Sequence, residues 1–574
     1  MLGKTMWKRM GVVALAATLM LPSSIWAQER VEPTMERREE KGTSLEEGSM
    51  FTDRGPLSWD RPGRSSRVLH PGTPESAGLK RKPIGEMDRY MEEIVQNGQS
   101  PGAVVYVVRR GHVVKRQAYG HALRYRDGTG TPVEEPIPMR EHTLFDVASI
   151  SKIFTTTAAM KLYEEGKFDL DDPVAKHLPE FAQNGKDTVT IRQLMAHTSG
   201  MPPWIPLYRQ GSNRAERIQI ALTHPLQQDP GTSYIYSDLN MITLGALVER
   251  LSGQRLDTFV RENITQPLGM KDTLYNPPAS LKKRIAATEY QPEVERGMVW
   301  GEVHDENAWS LDGVAGHAGV FSTAHDLAIF AHTLLQKGSY GKTRILKEKT
   351  VEQMEENQNE AFPGNDHGLG WELNQGWFMD ALSDHRTMGH TGFTGTAMVV
   401  NRDQATIVIT LTNRVHPTRN TPTINPIRRQ VARFVADAIP VRIPGRKEAW
   451  FAGYGDHLDR TLDTGLLPVT AGKRTLTFDT WHRTEPVVDY GVVEGSRDGR
   501  EWHPLTEALS GRADWHRRSV ELPAEINHLR FRYHTDATVN GRGWYVKDPV
   551  LRDDRGKKVK VEWTSGDGWE KRRW

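Results

Sequence analysis

Ser149-Ile150-Ser151-Lys152 is the stretch of this sequence best placed to do chemistry. It follows the strand-like Leu144-Phe145-Asp146-Val147-Ala148 and opens a run, Ile153 to Glu165, apolar enough to be a buried helix. A serine at the start of such a helix and a lysine three residues on share one face. A serine hydroxyl is a poor nucleophile until a neighbouring base takes its proton. A lysine desolvated by an apolar helix can be that base, because burial lowers its pKa. The helix N-terminus adds N–H groups that favour negative charge. Ser-x-x-Lys alone carries little weight, since it recurs at Ser280/Lys283 and Ser339/Lys342. Those two follow Asn276-Pro277-Pro278 and Gly338 and read as surface turns. Only Ser149 has both a strand-like lead and a buried helix behind it.

Two further stretches could complete such a site. Tyr236-Ser237-Asp238 follows the turn Pro230-Gly231-Thr232 and precedes a helix through Leu239, Leu244 and Leu251. A phenol at a loop–helix junction relays protons if neighbouring cations lower its pKa, and otherwise anchors the loop. His390-Thr391-Gly392 precedes a strand at Ala397 and is the one match in the chain to Lys or His, then Ser or Thr, then Gly. His197-Thr198-Ser199-Gly200 reads as a structural turn after a helix at Ile191 to Ala196. His304-Asp305 and His317 lack metal-ligand spacing and read as hydrogen-bonded histidines, so no metal and no cofactor are expected.

The elements that must hold these residues alternate in type. Ile84, Met87, Met91 and Ile94 recur at helical spacing. Val104 to Val108, the turn Arg109-Arg110-Gly111, and Val113-Val114 predict a β-hairpin. A mostly helical middle follows, with helices ending at Gly166 and Gly253. Ala397 to Val400 and Ala405 to Leu411 predict a strand pair around Asn401-Arg402-Asp403, and Ile427 to Ala438 a last helix. This order predicts one α/β domain over 71–440 whose sheet comes from both ends of the segment. Residues 445–574, with short apolar alternations and seven of the chain's 16 Trp from Trp481 onward, predict an all-β sandwich.

The three motifs in this order resemble the serine β-lactamase and penicillin-binding protein superfamily, on its class C and esterase side. Pro101-Gly102-Ala103-Val104-Val105, Leu194 to Pro202 and Ala315 to Thr323 resemble the same family, over about 370 residues in all. The resemblance implies a β-lactamase-like fold, an antiparallel sheet flanked by helices plus a helical subdomain. It implies that Ser149 is the nucleophile that forms an acyl-enzyme and that Lys152 and Tyr236 share the proton work. Asp238, His390, Thr391, Gly392 and Phe393 would bind substrate, and the N–H groups of Ser149 and Phe393 would form the oxyanion hole. Two departures stand out. Asp238 occupies the place where the family usually has Asn, and an ionised Asp only accepts hydrogen bonds. His390 replaces the usual lysine, which weakens the positive charge that would meet a β-lactam carboxylate. Both argue for an esterase, D-aminopeptidase or muropeptide amidase and for slow or no penicillin turnover. The C-terminal region, around Trp481, Glu485, Asp489-Tyr490-Gly491, Ser496-Arg497-Asp498-Gly499 and Gly543-Trp544-Tyr545, resembles the β-sandwich appended to some secreted peptidases. Its aromatics read as core, with glycan contact as the alternative.

Composition sets the bounds. The 574 residues are 37% hydrophobic and 26% charged, with 51 Gly and 33 Pro, as in soluble globular proteins. A net charge of +2 leaves no electrostatic footprint for nucleic acid. With no Cys there is no disulfide, thiolate metal site or cysteine nucleophile. Lys4, Lys8 and Arg9, the apolar Gly11 to Leu21 and a cut after Ala27 predict a signal peptide over 1–27. That apolar run is too short to span a membrane, so an exported protein of the periplasm, envelope or exterior is expected. Residues 28–70, rich in Glu, Arg, Gly, Ser and Pro, predict a flexible lead-in. The expected function is an exported serine hydrolase acting on an amide or ester, with a small-molecule or peptidoglycan-derived substrate. The alternatives are a broad carboxylesterase or weak β-lactamase, and a non-catalytic binder of muropeptides or β-lactams.

Overall fold

The computed structural model describes residues 64–468 and 472–574, so the expected signal peptide and most of the lead-in lie outside the described residues. Strand β1 (Gly102–Arg109) and strand β2 (His112–Tyr125) form the expected hairpin. Arg110 and Gly111 turn it with φ of +58° and +84°, the mirror-image turn whose twist suits paired strands. From the far end of the segment come β3 (Thr387–Gly392), β4 (Thr396–Asn401) and β5 (Thr406–Thr412). β5 pairs antiparallel with β1, Val408 opposite Val107, so the sheet closes from both ends of the segment. Its order is His70–Pro71, β2, β1, β5, β4, β3 and Glu372–Leu373. The N-terminal edge is fixed before residue 71: Ser66 N–H donates to Arg110 O at 3.0 Å and His70 N–H to Gly111 O at 3.0 Å.

Alternation along β1 divides two cores. Val104, Tyr106 and Val108 join one that contains Ile153, Phe154 and Phe330. Val105 and Val107 join another with Met87 and Met91 of helix α1 (Arg81–Gln96). Val431 and Val435 of the C-terminal helix (Asn425–Ala438) join that second core. Helix α2 (Ser151–Glu164) is buried from Ser151 through Met160, as befits a helix packed on all sides. Its neighbour α3 (Asp238–Ser252) starts from the Ser237 cap and ends at Gly253, whose φ of +69° favours glycine.

Beyond residue 448 every strand pairing among the described residues is antiparallel. One sheet is built on Arg474–Arg483, Arg512–Leu522 and Gly543–Arg552, the other on Asp459–Thr464, Tyr490–Ser496 and His528–His534. Leu476, Phe478, Val493, Phe531 and Trp544 fill the space between them. Trp481, Trp544 and Trp569 are buried, in line with the reading of these aromatics as core. The sheet's other face is covered too. Trp481, Phe451 and Tyr545 pack with Phe378, Met379 and Val435 in the second core, so the sandwich and the α/β part share an apolar interior. Asp384 pairs with Arg483 at 3.1 Å, and Asp437 with Arg572 at 2.6 Å, across the same boundary.

Candidate active site

Ser149 lies in a single turn of 3₁₀ helix, Ala148–Ile150, that runs directly into α2. The turn holds Ala148 at φ +48°, a conformation that costs an alanine energy and persists only where its surroundings enforce it. Asp146 does so. Its Oδ1 accepts the Ala148 N–H at 2.9 Å and its Oδ2 the His304 N–H at 2.6 Å. Burial pushes this carboxyl up, while the two N–H groups favour its ionised form. On the other side, Gly392 at the end of β3 lies so close that a Cβ there would stand 2.4 Å from Val147 O. Thr394 and Thr396 hydroxyls donate to Asp146 O and Val147 O at 2.7 and 3.1 Å. The turns carrying Ser149 and Phe393, the two expected oxyanion donors, are therefore held together by one seam.

Lys152, one helical turn on, is fully buried. Its Nζ donates to Ser149 Oγ at 2.8 Å and to His317 O at 3.4 Å, and pairs with Asp238 Oδ1 at 2.8 Å. Three N–H bonds thus meet three acceptors, the full complement of an ammonium. Burial, the largest influence, works to lower its pKa. The Asp238 carboxylate and Tyr236 outweigh it and hold the amine above its ordinary value. The Tyr236 ring lies under the same Nζ, 4.6 Å from it. Burial pushes the Tyr236 phenol up to about 12 against the pull of Lys152.

Tyr236 is placed by a loop anchored on His197. Ile235 N–H donates to His197 O at 2.9 Å, Ser237 N–H to His197 Nδ1 at 3.1 Å, and the two rings lie 4.7 Å apart. Because Nδ1 accepts, the His197 ring is neutral with its proton on Nε2, and burial holds its pKa well down. Ser199 donates to Asn240 Oδ1 at 2.6 Å, which makes His197 to Gly200 the expected structural turn and adds a support for Tyr236. His390 is buried on β3, its ring 6.1 Å from that of Tyr236. Its Nδ1 bonds Thr391 O at 2.7 Å, and burial with the nearby Lys152 lowers its pKa to about 3, so it is uncharged at neutral pH. Thr391 and Gly392 line the same strand, and the half-buried Phe393 ring stacks on His304 at 5.6 Å.

The residues chosen from the sequence thus come together: Ser149, Lys152, Tyr236 and Asp238 share direct contacts, and His390 faces Tyr236 from β3. Sequence reasoning missed one support, Asp146, and singled out the other, Asp305 with His317, as a hydrogen-bonded group. Asp146 fixes the Ser149 turn, and its one signal was its place three residues before Ser149. Asp305 accepts from His317 Nε2 at 2.8 Å. Burial works to raise its carboxyl, but His317 and the Ala308 N–H outweigh it and hold it well below the usual carboxylate range. Oxygens of Asp238 and Asp305 and a His317 nitrogen lie within 4.8 Å of one another beside Lys152.

Residues 87–433 match the family model described as Beta-lactamase. A protein of Escherichia coli (strain K12) described as "Putative D-alanyl-D-alanine carboxypeptidase" is 34% identical over 392 residues, 62% of this chain and 88% of its own. A counterpart of the same description from Salmonella agona is 32% identical over 392 residues, 62% of this chain and 89% of its own. Among solved structures, EstCE1, a hydrolase with promiscuous acyltransferase activity, is 22% identical with a TM-score of 0.49, over 61% of this chain and 98% of its own.

Proposed function

The chain belongs to the Beta-lactamase family of serine hydrolases, and on that premise we propose that it is exported and cleaves an amide or ester of a cell-wall-derived peptide or D-amino-acid compound through an acyl-enzyme at Ser149. The single observation that carries this reading is the 2.8 Å contact between Lys152 Nζ and Ser149 Oγ, made by a lysine that also contacts Tyr236 and Asp238. In the reactive form Lys152 is a neutral amine. It takes the Ser149 proton as Oγ bonds the substrate carbonyl carbon, and Tyr236 gives its proton to the departing amine or alkoxide. Water then cleaves the acyl-enzyme by the reverse proton path. The Ser149 and Phe393 N–H groups would hold the oxyanion, a role worth roughly 3 kcal/mol per donor in such sites.

The charge around Ser149 supports a peptide or ester over a β-lactam. His390 supplies no cation for a β-lactam carboxylate. The curated relatives named as carboxypeptidases point to the cell wall as the source. Down the chain, buried tryptophans favour a packing role for the sandwich over glycan stacking. Intact mass after a fluorophosphonate is the decisive test. Wild type should gain one adduct and Ser149→Ala none, with hydrolysis of esters and D-amino-acid amides falling by about 10⁴-fold or more. An adduct that persists in Ser149→Ala would remove Ser149 from the mechanism. Rapid penicillin turnover by wild type would overturn the substrate class.

A further inference from the structure

Among the described residues three groups of carboxylates and histidines bring ligand atoms within 4.8 Å of one another. Two are satisfied from within the protein. Asp238, Asp305 and His317 are tied to Lys152 and to each other, and Asp384 of the second group is paired with Arg483 and Arg512. The third, Glu485, Asp489 and Asp536, is different. It lies on loops at one end of the sandwich, far in sequence from the nucleophile. Asp489 is wholly buried, and its Oδ1 accepts the Asp536 N–H at 3.1 Å. Its Oδ2 has no hydrogen-bond partner, and neither has the buried Oε2 of Glu485. An unpaired carboxylate oxygen in the interior is costly, and two beside a third carboxylate are more so.

Nearby charge does not relieve the cluster. Arg429, whose buried Nη1 has no hydrogen-bond partner, pulls Glu485 down, but Asp536, Asp489 and Asp380 push it up, while Asp536 and Asp456 act on Asp489. Arg429 is itself engaged by Asp456 at 2.8 Å, and Arg433 by Asp380 at 2.9 Å. Burial and this mutual repulsion push Glu485 up to about 8 and Asp489 up to about 7. An all-oxygen donor set of carboxylates with no nitrogen or sulfur is what a hard divalent cation takes.

We propose that Glu485, Asp489 and Asp536 form a calcium site that locks these loops of the sandwich beside the Asn425–Ala438 helix. The three carboxylates supply part of the six to eight oxygen ligands calcium uses, and water completes the rest. The site revises the expectation that the chain binds no metal. It stands apart from the reaction at Ser149, so its failure would leave the hydrolase reading intact.

The test uses the full-length protein, stripped with EDTA, desalted and titrated with calcium chloride. Calorimetry should show one site whose heat is lost in Asp489→Asn. Calcium should raise the melting temperature at pH 8 by at least about 3 °C. Glu485→Gln should abolish that shift without lowering the melting temperature of the calcium-free protein, because it removes a buried repulsion. Asp536→Asn, at the half-buried corner, carries the same comparison if Asp489→Asn does not fold. Absence of calcium binding, or a calcium shift that survives in Glu485→Gln and Asp536→Asn, would overturn the proposal.

Discussion

With its carboxylate 2.8 Å from Lys152 Nζ, Asp238 governs the protonation state in which the proposed catalytic groups rest. Burial by itself would drive the lysine toward the neutral amine that a base must be, and Asp238 reverses that direction. At neutral pH Lys152 is therefore an ammonium, and Tyr236, pushed up to about 12, keeps its proton. The amine form grows with pH, so kcat/KM should climb through the alkaline range. Replacing Asp238 with Asn removes the partner that holds the proton, and desolvation then dominates. The acidic limb of the pH–rate profile of Asp238→Asn should move down by at least about one unit, equivalent to about 1.4 kcal/mol of lost pairing. A limb that stays in place would mean that deprotonation of Lys152 does not gate the reaction. The same substitution restores the amide usual at this position in the family, so any gain in penicillin turnover would be read in the same experiment.

At the scale of elements, the seam between β3 and the Ser149 turn is the part of the site least tolerant of added atoms. A Cβ on Gly392 would stand 2.1 Å from Thr396 Oγ1 and 2.4 Å from Val147 O, and the second contact is with rigid backbone. Gly392→Ala should cost about 1–3 kcal/mol of stability. Its kcat should fall by about 10²-fold, the penalty of displacing a reacting group by about 1 Å. Gly85→Ala, inside α1 with nothing within 4 Å, is the contrasting change and should gain about 0.5–1 kcal/mol. Thermal melts and ester hydrolysis of the two variants check both statements, and equal behaviour would remove the seam from the account. What was legible beforehand follows the range of the interactions. Ser149 and Lys152 meet because they are three residues apart on a helix, and the hairpins at Arg110-Gly111 and Asn401-Arg402-Asp403 are closed by local turns, so both could be read from sequence. The hold of Asp146 on Ala148 and His304 and the seat of Tyr236 on His197 depend on contacts made only after the chain has folded, and their residue types gave no pattern by which to find them.

On the scale of the whole molecule, the sandwich reads from sequence as an appendage, and its contacts make it part of the hydrolase interior. Trp544, Tyr545 and Val546 are consecutive and all fully buried, which a strand achieves only when both faces of its sheet are covered. One face closes on the second sheet, and the other meets Phe378, Met379 and the Asn425–Ala438 helix. Phe451, Trp481 and Tyr545 alone are large side chains whose burial is worth about 1.5–3 kcal/mol each, a substantial part of the roughly 5–15 kcal/mol that keeps a domain folded. Largely buried ion pairs from Asp384 to Arg483 and from Asp437 to Arg542 and Arg572 cross the same boundary. An interface of this apolar character leaves little room for independent motion of the two parts. A chain ending at residue 444 should therefore aggregate or melt well below the full-length protein, even though Ser149, Lys152 and Tyr236 are all present in it. Residues 445–574 expressed alone should expose the Trp481–Tyr545 face and fail to give a monomer with a cooperative melt. A well-behaved monomeric fragment from either side of residue 444 would show that the shared core contributes little, and size-exclusion chromatography with differential scanning calorimetry on the two pieces decides it.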